Sequence, residues 1–215
     1  MTSDVAFPDR FTEIDELTRP DHYRLTDDDR CYFLGEYTAG KGYSYSQTNQ
    51  LILNFKKSLD RQDKPEWQYK QSALLQAAAS FRRALGEDPT AHVFVPMPPS
   101  KARDNPLHDD RVKRMLLAIW PGQSADIREL IVQSESADAA HERRVRPTPE
   151  ELQAAYRIDK SLATPEPRMV AIVDDLLTTG AHFRAASSVL AAHFPAVQII
   201  GLFLARRVPD AESLH

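Results

Sequence analysis

Met169-Val170-Ala171-Ile172-Val173 runs directly into Asp174-Asp175-Leu176-Leu177 and then into Thr178-Thr179-Gly180-Ala181. Five consecutive apolar residues have the pattern of a strand buried on both faces, as in a parallel sheet covered by helices. Two carboxylates follow at its carboxyl end, and a hydroxyl-rich turn then opens a helix over residues 181–193. A solvated turn accounts for an Asp-Asp pair and a simple helix start for Thr-Thr-Gly, but neither accounts for the apolar strand that feeds both. The chemistry suits a phosphorylated sugar. Backbone N–H groups and the Thr178 and Thr179 hydroxyls suit a terminal phosphate at a helix N-terminus, and the acids upstream suit sugar hydroxyls or a magnesium ion.

Strands and helices alternate around this stretch: strand 93–97, helix 111–120, strand 130–132, helix 150–162 and, after the motif helix, strand 197–205. The alternation predicts an α/β fold with a central, mostly parallel sheet, right-handed crossovers and helices on both faces. Ligands of such sheets sit at the carboxyl ends of the strands. Nearer the N-terminus, residues 31–34 read as a strand, 35–42 as a turn region and 46–59 as a helix with Leu51, Ile52 and Phe55 on one face. Residues 66–85 read as a long amphipathic helix with Trp67, Leu74, Leu75, Ala78, Phe81 and Leu85 on its apolar stripe, stopped by Gly86. Residues 1–29 are acidic and read as an adaptable extension with one short amphipathic piece at Phe11, Ile14 and Leu17.

The 215 residues hold 27 Lys plus Arg against 31 Asp plus Glu, a formal net charge of −4. The chain as a whole therefore repels a phosphate backbone, and any nucleic-acid contact is local. A 42% hydrophobic content excludes wholesale disorder. Cys31, alone, forms neither an internal disulfide nor a multi-cysteine zinc site, and the seven histidines lack metal-ligand spacing. No apolar stretch is long enough to span a bilayer, and residues 1–20 have neither the basic start nor the apolar run of a secretory signal. The cytoplasm is the expected compartment.

Gly35-Glu36-Tyr37-Thr38-Ala39-Gly40-Lys41-Gly42 nearly spells a nucleotide P-loop. Gly42, however, stands where the magnesium-binding hydroxyl belongs, and Glu36 places an acid inside an anion cradle. A glycine-punctuated turn or hairpin is the expected outcome. Arg111, Lys113 and Arg114 read as a solvated helix face balanced by Asp109 and Asp110. Tyr37, Tyr43 and Tyr45 read either as packing residues or as a stacking surface for a base.

Residues 169–181 closely resemble the phosphoribosyl-diphosphate motif of the type I phosphoribosyltransferases. The wider pattern is similar to the ComF competence-protein branch: Val95-Pro96-Met97-Pro98 at a strand end, Arg143 to Leu152 ahead of a helix carrying Arg157, and Leu204-Ala205-Arg206-Arg207 closing the sheet. The likeness spans roughly residues 90–207 and reaches back to Asn54-Phe55-Lys56-Lys57. It implies a Rossmann-like phosphoribosyltransferase core at residues 90–208, a hood-like strand and helices at 30–89, and a short tail at 209–215. It further implies that Asp174 and Asp175 contact ribose hydroxyls and a magnesium ion. Leu177, Thr178, Thr179, Gly180, Ala181 and His182 would bind the 5′-phosphate, and Pro98, Pro99, Ser100 and Lys101 would sit by the diphosphate. Residues 134–148, with His141, Arg143, Arg144 and Arg146, match the mobile loop that closes over the site; Arg144 and Arg146 would assist Asp174 and Asp175 in catalysis by stabilising the leaving diphosphate.

The chain departs from the family at four places. His182 stands where a Thr or Ser is usual. The Arg-Gly-x-Asn pattern is absent from residues 101–110, and Thr178 occupies the position of the acid that serves the purine ring in 6-oxopurine salvage. The cysteine zinc ribbon of ComF proteins is missing, so the branch resembled is one without it. Two functions are expected from this pattern. One is a magnesium-dependent transfer of a phosphoribosyl group from phosphoribosyl diphosphate to an unidentified nitrogen nucleophile. The other is a catalytically weak sensor or regulator that keeps the nucleotide pocket and acts through a protein or nucleic-acid partner. Dimers are common in this fold, and the helix at 66–85 offers an interface for a homodimer.

Overall fold

The apolar run that opens the motif becomes the centre of a sheet. In a computed structural model that describes residues 7–90, 92–133 and 147–210, Val170, Ala171, Ile172 and Val173 are fully buried. The elements are β1 (Thr12–Glu13), β2 (Cys31–Thr38), α1 (Gln47–Phe55), α2 (Gln68–Leu85), β3 (Val93–Pro96), α3 (Arg111–Ile119), β4 (Ile131–Gln133), α4 (Pro149–Ala155), β5 (Tyr156–Ile158), β6 (Met169–Leu177), α5 (Ala181–His193) and β7 (Gln198–Val208). The fold is α/β, with a mixed central sheet of five strands in the order β1-β2-β7-β6-β3. β2, β7, β6 and β3 run parallel, and β1 closes the edge antiparallel to β2.

Side chains of a strand alternate between faces, and β6 therefore feeds two cores. Ala171 and Val173 pack with α1, α2 and α3 residues such as Phe55, Phe81 and Met115. Val170 and Ile172 pack with Phe183, Leu190 and Tyr156 on the other face. No helix among the described residues is long and apolar enough to cross a membrane.

Three elements differ from the sequence expectation. The strand expected at 130–132 forms one residue later, as β4, and leaves the main sheet; only a single bridge, Phe94 with Ile127, links this stretch to β3. β4 pairs instead antiparallel with β5, cut from what periodicity predicts as a helix over 150–162. That helix stops at Ala155 because the next residues are used twice: Tyr156 is buried, and the Asp159 N–H donates to the Leu130 carbonyl at 2.9 Å. The amphipathic piece expected at Phe11, Ile14 and Leu17 does not bury one common face, since Asp15 Oδ1 accepts the N–H groups of Leu17 and Thr18 and turns the chain. Ile14 is buried and Leu17 is 89% exposed. The acidic N-terminal segment also buries Phe7, His22, Leu25 and Asp29, so residues 7–29 pack as part of the domain.

α1 is held at both ends. Ser46 Oγ accepts the Asn49 N–H at its start, and at its end a buried lysine of α2 takes over. Lys70 Nζ donates to the carbonyls of Phe55 (2.9 Å) and Lys57 (2.7 Å) and to Asp109 (2.6 Å), which uses all three of its protons. Burial pulls its pKa below the usual lysine value, against the pull of Asp109. Replacing it by methionine, Lys70→Met, keeps the packing and removes all three bonds. A stability loss of about 2–4 kcal/mol is expected, and an unchanged urea midpoint would show that α1 is anchored otherwise.

Candidate functional site

Asp174 and Asp175 are the last polar residues of β6, and because strand neighbours point to opposite faces, the two carboxylates enter different surroundings. Asp175 belongs to the face covered by α1–α3. Its Oδ1 accepts from Lys56 Nζ at 2.9 Å, and its Oδ2 accepts from Arg111 Nε at 2.8 Å and Nη2 at 2.6 Å. Burial opposes its ionisation, but Lys56 and Arg111 outweigh burial and hold the carboxyl well below the usual range. Arg111 in turn pairs with Asp109 at 3.1 Å, which Lys70 also holds.

Asp174 faces the α5 side. Its Oδ1 accepts the Asp175 N–H at 2.8 Å, and among the described residues no cation pairs with it as Lys56 and Arg111 pair with Asp175. Burial first, and then the charge of Asp175, raises its pKa well above the usual carboxylate range.

Beyond β6 the loop Thr178–Gly180 leads into α5. Gly180 takes a left-handed φ of 89° and is the N-cap without a side-chain hydrogen bond, so the positive end of the helix dipole faces the loop and no side chain of its own caps the first-turn amides. Thr179 turns inward: it is buried, and its Oγ1 accepts the Ala181 N–H at 3.4 Å. Thr178 and His182 line the cleft, whereas Leu177 and Ala181 are buried beneath it. The His182 imidazole is joined at Nδ1 to the Tyr156 hydroxyl by a 2.8 Å hydrogen bond. Its pKa is pushed down by the protein packed around it and by Lys56.

The cleft has a volume of about 660 Å³ and brings together Asp174, Asp175, Thr178 and His182 with Pro98, Pro99, Ser100 and Lys101. The latter loop follows β3, and the His108 ring nitrogen Nδ1 donates to the Lys101 carbonyl at 2.9 Å. Arg103 and Lys113 reach Glu129 at 3.3 and 2.6 Å. His141, Arg143, Arg144 and Arg146 lie outside the described residues.

Three contributors escape a local reading of the sequence. Arg111, expected on a solvated face, is turned to Asp175. Tyr156, inside an expected helix, orients His182. Lys70 reaches the site through Asp109 and carries a signal: it falls four residues before Leu74 and eight before Ala78, on the apolar stripe of α2. The P-loop look-alike is only in part the expected turn: residues 35–38 are the second half of β2, paired with β7, and the glycine-punctuated turn follows them, with Gly40 at a φ of 80°. Asn49 takes up its backbone by accepting from the Thr38 N–H and donating to the carbonyls of Thr38 and Lys41.

Among the described residues no group of three or more His, Cys, Asp or Glu is gathered to hold a metal ion. Magnesium commonly binds through one or two carboxylates plus ligand phosphates and water. Asp174 fits that use, whereas both oxygens of Asp175 are engaged by cations. No family model matches this chain, and no curated protein matches it.

The unequal surroundings predict opposite effects of the same substitution. The folded chain holds the Asp174 proton to higher pH than the unfolded chain, so the stability tied to this group falls as pH rises from the unfolded value through the raised one. Asp174→Asn therefore raises the melting temperature at pH 7–8 and leaves it nearly unchanged at pH 4. Asp175→Asn leaves Lys56 and Arg111 without their carboxylate and lowers stability by about 2–4 kcal/mol near neutrality. Thermal melts across pH check both, and equal shifts for the two variants would refute the division.

Proposed function

We propose that this protein is a phosphoribosyltransferase-like protein that binds phosphoribosyl diphosphate with magnesium and transfers the phosphoribosyl group to a nitrogen nucleophile. The observation that carries the reading is the meeting of three features in one cleft: the carboxylate of Asp174, paired with no cation among the described residues, the Thr178–His182 loop at the Gly180-capped start of α5, and the Pro98–Lys101 loop. A ligand with an anion at one end, hydroxyls in the middle and a second anion at the other end matches that layout. The five-stranded α/β sheet, with its site at the carboxyl ends of β3 and β6, is compatible with the Rossmann-like core that the motif resemblance implies.

In this reading the 5′-phosphate sits against the first-turn amides of α5, the Thr178 hydroxyl and His182. Asp174 accepts from ribose hydroxyls and is the carboxylate open to a magnesium ion, which when bound neutralises charge on the leaving diphosphate. The nitrogen lone pair forms the new bond to the anomeric carbon. The bond from that carbon to the diphosphate oxygen breaks, its electron pair leaves with diphosphate, and the nitrogen releases a proton to solvent. Asp174, next to the ribose, stabilises the positive charge that develops on the ring, and Lys101 lies on the leaving-group side. Arg144 and Arg146 belong to the same proposal as closing-loop cations.

A second reading has its own observation. Arg103 and Lys113 at the diphosphate side are engaged by Glu129, an arrangement that suits binding without turnover, and hence a sensor acting through a protein or nucleic-acid partner.

Calorimetric titration with phosphoribosyl diphosphate and magnesium, followed by diphosphate release in the presence of a panel of nitrogen bases, tests both. Binding is expected for the wild type and at least about tenfold weaker binding for Asp174→Asn. Diphosphate release separates transferase from sensor, and no binding by the wild type would refute both.

A further inference from the structure

We propose that His22 is a positioning residue that fixes the Thr178–Gly180 loop from behind and so gives it the shape of an anion cradle. The identity of the anion rests on the phosphoribosyl reading above; the contact itself does not.

His22 ends a short 3-10 turn, Arg19–His22, and is fully buried. Its Nδ1 meets the carbonyl oxygen of Thr178, across 156 residues of chain. A carbonyl only accepts, so Nδ1 carries the proton and the ring is held in the Nδ1–H tautomer. Nε2 is buried without a hydrogen-bond partner among the described residues, which a neutral ring tolerates better than an imidazolium. Arg206 lies nearby, pairing with Asp21 at 2.8 Å, and opposes a second positive charge. Two residues on, the Arg24 N–H donates to the Thr179 carbonyl at 2.9 Å. At the third loop residue, a Cβ on Gly180 would stand 2.7 Å from the Leu25 side chain. Three successive loop residues are thus each met by His22, Arg24 or Leu25.

The consequence follows from the planar trans peptide, in which the carbonyl and the N–H of the next residue point in opposite directions. With the carbonyls of Thr178 and Thr179 turned back onto the N-terminal segment, the N–H groups of Thr179 and Gly180 turn the other way, away from His22 and Arg24; Thr178 and Gly180 line a small pocket together with Asp174 and His182. Adjacent amides so aligned form a concave donor set for an anion. Released from His22, the Thr178–Thr179 peptide is free to rotate and to offer a carbonyl oxygen to the phosphate, which repels it. The segment that does the holding is itself anchored by Asp21 to Arg206 and by Asp29 to Arg184 at 2.9 Å.

The test uses the full chain and two probes, ribose 5-phosphate and inorganic diphosphate, titrated calorimetrically. His22→Leu keeps apolar bulk and deletes the donor; His22→Asn restores an N–H near the Nδ1 position. His22→Leu is expected to weaken ribose 5-phosphate about tenfold while changing diphosphate less than about twofold, and His22→Asn to recover most of the loss. In the same variants without ligand, the Arg24 amide is expected to exchange faster in His22→Leu than in wild type or His22→Asn. Equal weakening of both probes, no weakening, or no recovery in His22→Asn overturns the positioning role. A wild type that binds neither probe overturns the phosphoribosyl reading and the ligand half of this inference. Arg24 exchange then decides the contact: unchanged protection in His22→Leu overturns it, and lost protection upholds it.

Discussion

The carboxylate of Asp175, clamped between Lys56 and Arg111, is the contact on which the arrangement of the cleft depends. A buried charge is tolerable only when paired and hydrogen-bonded. Here the pairing continues from Lys56 through Asp175, Arg111 and Asp109 to Lys70. The chain of charges joins the end of α1, the end of β6, the start of α3 and the first turns of α2. Moving any of these elements relative to the others strands a charge in a low-dielectric interior, where the Coulomb energy at stake exceeds that of a surface pair several-fold. Apolar packing between the same helices carries no such directional demand. The ionic chain therefore sets where α1 and α3 sit against the sheet edge, and with them one wall of the cleft.

The same clamp explains why Asp174 remains available. Two acids in sequence at the end of a strand cannot share one environment, because the pleat sends them to opposite faces. With Lys56 and Arg111 committed to Asp175, Asp174 is left with burial and a like-charged neighbour, both of which favour its neutral form. Pairs of carboxyl groups pushed in opposite directions by their surroundings are a recurrent way of giving two identical groups different tasks. In this chain Asp175 organises, and Asp174 faces the cleft.

What the sequence made legible is what depends on neighbours along the chain. β6, the loop after it and α5 form one continuous local pattern, and Asp174, Thr178 and His182 lie at the cleft as that pattern implies. Residues whose role depends on strand order were not legible. Arg111 and Tyr156 read as ordinary helix residues because their partners, Asp175 and His182, are 64 and 26 residues away, and periodicity carries no information on which strands become neighbours. The alternation rule also overcounted the main sheet, since a short strand such as Ile131–Gln133 pairs equally well with a local strand once residues 156–158 are extended. The acidic composition of residues 7–29 disguised their part in the domain: their buried groups are few and widely spaced, with no helical or strand period to betray them.

The loop after β6 joins these arguments. α1 and α4 begin with side-chain caps from Ser46 and Thr148, a device that stabilises a helix by about 1 kcal/mol. α5 begins with Gly180 in a left-handed conformation, which has no side chain to cap with, and the Ala181 N–H has only the 3.4 Å contact to Thr179 Oγ1. Such a helix start is not in itself a site. Here it coincides with a raised-pKa carboxyl at Asp174, an imidazole at His182 oriented by Tyr156, and carbonyls drawn away from the cleft by His22 and Arg24. The helix start without an N-cap side chain and the Asp174 carboxyl depart from what stability alone would favour, and both lie at one end of one strand. Local costs are retained together when the groups left short of partners serve a common ligand, and the proposed phosphoribosyl ligand would be anionic at the α5 start and hydroxyl-bearing at Asp174.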